Sequence, residues 1–199
     1  MTRRLVFDLE TTGLPRGRDA PPSNFAAYDG ARALQIAYTA CDDDWRPVRT
    51  VSRVVRPDGF LVAGTEVHGI TPERAHAEGA PFDEVAAGFF EALREADVLY
   101  AHNARFDVAV LTSELLRRNM RELADALAAV PVRCTMLATI GAVGALNAQG
   151  RPKWPRLDEL YAAATDGKAM PNAHDAEWDC INLCEAMRAL RAKGMLLDF

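Results

Sequence analysis

The residues Phe7-Asp8-Leu9-Glu10 constrain this chain more than any other stretch. They close a largely apolar run, Arg3-Arg4-Leu5-Val6-Phe7-Asp8-Leu9, that reads as a buried strand. Side chains alternate along a strand, so Asp8 and Glu10 share one face and Phe7 and Leu9 the other. Burying such a strand brings two carboxylates together at its end. Like charges repel and resist burial, and the usual remedy is a cation. From this pair alone, a strand end emerging into solvent is an equally good account.

The remaining segments describe a sheet built around that strand. Leu34 to Ala40 and Val48 to Val55 are β-rich, with the polar turn Asp42-Asp43-Asp44-Trp45 between them. The three aspartates read as a solvated hairpin tip rather than a cation site, because consecutive turn residues point in different directions. Residues 15–31 hold three prolines and two glycines with no period and read as a loop, either a surface insertion or a substrate clamp. Val85, Phe89 and Leu93 recur every four residues and predict a helix over 81–95, with Pro81 in its first turn. Asp97 to Ala101 is a short buried strand, a helix follows over about 104–118, and Val132 to Thr135 makes a further strand. The last helix runs from about Asp175 to Lys193, with Gly194 as its stop. Strands first, then strands alternating with helices, predict an α/β chain with a mixed sheet flanked by helices.

With 199 residues, the chain suits a single domain spanning 1–199. Charges break every apolar stretch well short of the ~18 residues of a membrane span. Met1-Thr2-Arg3-Arg4-Leu5 shows no signal peptide. A cytoplasmic location without a membrane partner is therefore expected. Cys41, Cys134, Cys180 and Cys184 lack the spacing of a zinc knuckle. Cys180 and Cys184 read as thiols on a buried helix face. The net charge of −5 is unlike a nucleic-acid binder, unless several acids sit together under metal ions. Basic residues then need only line the approach. Arg151, Lys153 and Arg156 cluster in one segment and Arg117, Arg118 and Arg121 in another, each equally readable as solvated surface.

Two further places carry chemistry. In Ala101-His102-Asn103-Ala104-Arg105-Phe106-Asp107 a strand ends and a helix begins, with Asn103 as a suitable N-cap and Asp107 in the first turns. An acid there also suits the helix dipole. In Asn172-Ala173-His174-Asp175-Ala176-Glu177-Trp178-Asp179, a helix starting near His174 places Asp179 little more than one turn further in. The two flank a single site, and Asp179 falls among the apolar residues of the helix, a poor position for an unpaired acid. Asp175 and Glu177 read as exposed first-turn acids.

Taken in chain order, Phe7-Asp8-Leu9-Glu10-Thr11-Thr12-Gly13-Leu14, Ala101 to Asp107, and His174 with Ala176 and Asp179 resemble the DEDDh exonuclease superfamily. That superfamily includes the proofreading subunit of bacterial replicative polymerases and ribonuclease T. Arg32 to Ala37, Val67-His68-Gly69-Ile70-Thr71 and Lys153-Trp154-Pro155-Arg156-Leu157 also resemble family segments. The resemblance implies a ribonuclease H-like fold with a five-stranded mixed sheet flanked by helices. It implies that Asp8, Glu10, Asp107 and Asp179 hold two divalent metal ions, Mg²⁺ or Mn²⁺, and that His174 is the general base. The histidine five residues before the last aspartate marks this subclass, and the tyrosine position of the other subclass is here Asp175. Cys134 stands where many members carry an aspartate, and no metal contact is expected of it.

By the same likeness Thr11, Leu14, His68, Asn103 and Phe106 line the pocket for the terminal nucleotide. Core packing is an equally good reading for Leu14 and Phe106. The expected substrate is the 3′ end of single-stranded nucleic acid, DNA before RNA, and the expected product a nucleoside 5′-monophosphate. Proofreading or DNA repair is the implied setting. An exoribonuclease is the nearest alternative, and a non-catalytic polymerase-accessory module the more distant one. No polymerase tether is evident after the last helix.

Overall fold

The computed structural model describes residues 2–17 and 19–195; Met1, Arg18 and 196–199, where the readings of a missing leader and of a short tail fall in part, lie outside it. The core is one five-stranded mixed sheet in the order β3-β2-β1-β4-β5. The strands are β1 (Arg4–Thr11), β2 (Ala33–Cys41), β3 (Pro47–Val54), β4 (Val98–Ala101) and β5 (Val132–Cys134). β2 lies antiparallel to both β1 and β3, while β4 lies parallel to β1 and β5.

Alternation along β1 divides the core into two layers. Leu5, Phe7 and Leu9 face α4 (Phe82–Arg94) and α5 (Ala104–Arg117), where Phe7 meets Phe89 with ring centroids 5.5 Å apart. Val6 and Ala37 face α9 (Leu157–Ala164) and α10 (Ala176–Ala192), packing with Leu160, Leu183 and Met187. The register of the strand therefore sends Asp8 and Glu10 towards the α10 layer. β1 also outlasts its parallel neighbour. Pairing with β4 ends at Val6–Tyr100, and the chain turns off after Ala101 into α5. The end of β1 is left open on that side.

Several local expectations need correction. Asn103 precedes α5 as predicted but sits in the left-handed region (φ 67°), and its side chain makes no capping bond. Trp45 is no part of a polar tip: it is buried with φ 62°, stacks edge-on to Tyr100 at 4.7 Å and carries the Arg4 guanidinium over its ring. The 15–31 segment contains a short helix, α1 (Phe25–Tyr28), whose Ala27 and Tyr28 enter the core. The Tyr28 hydroxyl donates to the Ala20 carbonyl at 2.8 Å. Five further helices lie outside the segments whose periodicity predicts one: α2 (Thr65–His68), α3 (Pro72–Glu78), α6 (Arg121–Ala129), α7 (Thr135–Ala138) and α8 (Ile140–Val143). α9 lies just beyond Lys153 to Arg156 and likewise falls outside those segments. The triple aspartate is a hairpin tip: Asp42 accepts from the amides of Asp44 and Arg46, and Asp43 from the amide of Thr2.

One buried ion pair ties the start of β2 to α5 near the open end of β1. Arg32, 6% exposed, forks onto Glu114 of α5 at 2.7 and 3.1 Å, and Glu114 also accepts from the Ala33 amide and from Arg118. The Arg32 carbonyl in turn accepts the Thr12 amide, just past β1, and the Arg32 amide donates to the Thr12 hydroxyl oxygen. Its flanking arginines hold the Glu114 carboxyl below its ordinary range despite burial. Neutralising one partner leaves the Arg32 charge buried without its counter-ion. Glu114→Gln is expected to cost about 3–5 kcal/mol, read from urea unfolding; a loss under about 1 kcal/mol contradicts the role given to this pair.

Candidate metal centre

Three of the four expected acids converge. Asp8, Glu10 and Asp179 each offer a carboxylate oxygen, and these lie within 4.8 Å of one another. Asp8 and Glu10 come from one face of β1, and Asp179 from the first turn of α10. Asp107, 2% exposed, reaches the same strand from α5: its Oδ1 accepts the Leu9 amide at 3.3 Å. That amide lies past the last β4-paired residue, so the carboxylate takes the place of the missing strand.

The electrostatics are those of a crowded set of acids. Burial, then the charges of Asp107, Asp179 and Glu10, hold the Asp8 carboxyl well above the usual range. Burial raises Asp107 likewise, against the pull of the Leu9 amide. Glu10 is pushed up to about 8 by burial and by Asp179 and Asp175. Asp179 rises to about 7, chiefly by burial, although the His174 amide lowers it. Asp179 Oδ1 is buried with no hydrogen-bond partner. An orphaned oxygen within a set of mutually repelling hard carboxylates fits a Mg²⁺- or Mn²⁺-like cation.

The start of α10 is held over β1 by its neighbours. Asp175, the N-cap, accepts from the Glu177 amide at 3.0 Å and from Gln35 Nε2 at 3.3 Å, so it is a cap rather than a free first-turn acid. Gln35 Oε1 accepts the Ala176 amide, and Gln35 is the β2 partner of Glu10. His174 takes the left-handed conformation (φ 65°), its amide donates to Asp179 Oδ2 at 3.3 Å, and its side chain is exposed. The imidazole is not among the groups that lie within 4.8 Å of one another.

The expected pocket residues divide in two. Leu14 is 77% exposed just past β1, and Asn103 is exposed at the start of α5. Thr11 donates its hydroxyl to the Gly13 carbonyl at 2.8 Å, and Phe106 is half-buried against the α4–α5 core. His68 is buried, with Nε2 on the Ala63 carbonyl and Nδ1 accepting the Ile70 amide, so its ring shapes the 63–70 turn. The basic clusters are largely spent in ion pairs: Arg117 with Asp29, Arg118 with Glu114, Lys153 with Glu159 and Arg156 with Asp158. Two contributors were missed by sequence reasoning. Gln35 lies in the β-rich Arg32–Ala37 segment, where a single amide side chain carries no signal of its own. His102 bridges Thr135 Oγ1 at 3.1 Å and the Pro155 carbonyl at 2.9 Å, contacts too remote in sequence to foresee.

A mixed sheet bearing an acid cluster at the open end of its first strand is the arrangement of a nuclease scaffold. The chain belongs to the exonuclease family (RNase_T), whose model matches residues 5–187. Its fold is that of solved exonucleases. The zinc-bound Escherichia coli exonuclease I–single-stranded DNA complex superposes with a TM-score of 0.74 at 21% identity, over 97% of this chain and 41% of that one. Exonuclease I from Methylocaldum szegediense gives 0.72 at 21% identity, again over 97% and 41%. Exonuclease X in complex with 5′-overhanging duplex DNA gives 0.61 at 19% identity, over 96% and 93%. The chain thus spans about two-fifths of the exonuclease I structures. No curated protein matches it in sequence. Among the described residues, no helix is long and apolar enough to cross a membrane.

The raised carboxyl pKa values set a pH dependence for the metal-free protein. Between about pH 4.5 and 8 the folded chain binds more protons at these acids than the unfolded chain. Stability therefore falls as pH rises through that window. In EDTA the melting temperature is expected to drop from pH 5 to pH 8, and saturating Mn²⁺ to restore most of the loss at pH 8. A melting temperature indifferent to both pH and Mn²⁺ contradicts the metal-centre assignment.

Proposed function

We propose that this chain is a 3′→5′ exonuclease that removes nucleotides singly from single-stranded DNA and releases nucleoside 5′-monophosphates. The observation that carries the proposal is the convergence of Asp8, Glu10 and Asp179, with Asp107 beside them, in a member of the exonuclease family. Asp8, Glu10, Asp107 and Asp179 would hold two divalent cations, Mg²⁺ or Mn²⁺. When bound, such ions neutralise the acids and stabilise the charge that builds on the phosphate under attack. DNA is favoured over RNA because the solved exonuclease I and exonuclease X complexes carry DNA.

The chain's own residues divide the remaining work. His174 is the general base: its neutral imidazole takes a proton from the attacking water. The water oxygen bonds to phosphorus, the bond from phosphorus to the 3′-oxygen of the shortened strand breaks, and that oxygen takes a proton from solvent to end as a free hydroxyl. The hydrogen bond that the His174 amide donates to Asp179 fixes the backbone of the base to one of the acids. Thr11, Leu14, Asn103 and Phe106 surround the terminal nucleotide. The exposed Leu14 offers an apolar surface to a base, as single-strand sites do. His68 keeps the shape of the adjoining turn.

Three assays test this. Asp8→Ala should abolish nearly all turnover of end-labelled single-stranded DNA, while Asp42→Ala on the hairpin tip should leave it unchanged; equal activity in the two overturns the site. His174→Ala should lose about 10²–10⁴-fold in rate yet still bind Mn²⁺, and a wild-type rate removes it as the base. Linear oligonucleotides should yield only mononucleotides bearing a 5′-phosphate, whereas cutting of a covalently closed single-stranded circle would show an endonuclease.

A further inference from the structure

Helices α9 and α10 run side by side in the same sense. The Tyr161 hydroxyl bonds Glu185, and further along Lys193 Nζ reaches both the Ala163 carbonyl and Asp166. Followed back, this alignment sets the first turn of α9 beside the Asp179 turn of α10. The residues before α9, Lys153-Trp154-Pro155-Arg156, thus border the acid cluster.

This strap is pinned at three points. Lys153 Nζ bonds Glu159 at 2.6 Å, and the Arg156 amide bonds the same carboxylate at 2.8 Å. The Pro155 carbonyl accepts from His102 Nε2, directly after β4. The side chains between and after these points remain outward: Trp154 is 46% exposed, and Arg156 is exposed. Asp158 grips the Arg156 guanidinium through Nε at 2.9 Å and Nη2 at 2.6 Å. Two of its five N–H donors are used there, so the fork is oriented while donors remain for another oxyanion. An exposed indole two residues from an oriented guanidinium is a pairing suited to single-stranded nucleic acid, ring to base and cation to phosphate.

We propose that this strap is a strand-binding surface, with Arg156 on a phosphate and Trp154 stacked on a base of the DNA that leads into the acid cluster. The proposal rests on the exonuclease reading above and adds to it where the strand runs. Neither residue touches the reacting phosphate, so their loss should weaken substrate binding and leave turnover at saturation nearly intact.

The test uses the full-length protein with Mn²⁺ and a phosphorothioate oligo(dT) that resists cleavage, together with KM and kcat on ordinary oligo(dT). Trp154→Ala should weaken binding about 5- to 100-fold, and Trp154→Phe should recover most of it. Arg156→Gln should flatten the slope of log affinity against log salt by about 0.7, the counter-ion share of one phosphate on a single strand. Arg156→Lys should restore that slope without full affinity, because the fork is lost. Both losses should appear in KM and not in kcat. Arg49→Gln, at the far β3 edge, should change nothing. If Trp154→Ala and Arg156→Gln keep wild-type affinity and salt slope, or change kcat alone, the strap is not a binding surface. A wild-type protein that neither binds nor cleaves the oligonucleotide instead overturns the exonuclease reading beneath it.

Discussion

Repulsion among the buried carboxylates at the end of β1 is the constraint around which the rest of the structure is arranged. Asp8, Glu10 and Asp179 are held within 4.8 Å of one another, and burial with mutual charge drives their proton affinities up. Left to itself, such a set would spread apart or stay protonated. The fold prevents spreading by anchoring the acids to two rigid elements packed against each other. Two stand on a central strand paired on both sides along its first half, and one stands on a long helix packed across the sheet. The stored repulsion is what a divalent cation relieves on binding, so the same crowding that costs stability in the free chain favours the metal.

The supports of the site are polar and lie close around it. Gln35 holds the amide at the start of α10 while facing Glu10 across the sheet. Asp107 fills the edge that β4 leaves open. Arg32 and Glu114 lock the chain after β1 to α5, the helix that carries Asp107. His102 ties the end of β4 to the strap before α9. The first three satisfy buried groups that would otherwise cost stability and fix the spacing of elements that bear the acids. Structural and functional demands are met here by the same contacts.

Much of this was legible in the sequence because it follows from periodicity. Alternation at Phe7-Asp8-Leu9-Glu10 places the paired acids, and the four-residue repeat of Val85, Phe89 and Leu93 defines α4. Asp179 was legible because an acid among the apolar residues of α10 demands an explanation. What escaped depended on contacts between segments far apart in the chain. Nothing local to Trp45 says that a residue at a hairpin tip will turn back onto Tyr100. Asn103 has the composition of a cap, yet its left-handed backbone aims the side chain elsewhere. The short helices between β3 and α4, and those after β5, are too brief to show a period, and tertiary packing decides them.

The central claim is that the acid cluster is a metal centre, and it is tested most directly by calorimetric titration of Mn²⁺ into the metal-free protein at pH 7 in buffers of different ionisation enthalpy. Carboxyls held near or above neutrality must give up protons as the ion binds. The account predicts saturable binding with an observed enthalpy that varies from buffer to buffer, reporting proton release, and predicts that Asp8→Asn abolishes both. Absence of saturable binding in the wild type, or binding that survives Asp8→Asn with the same proton release, would contradict it.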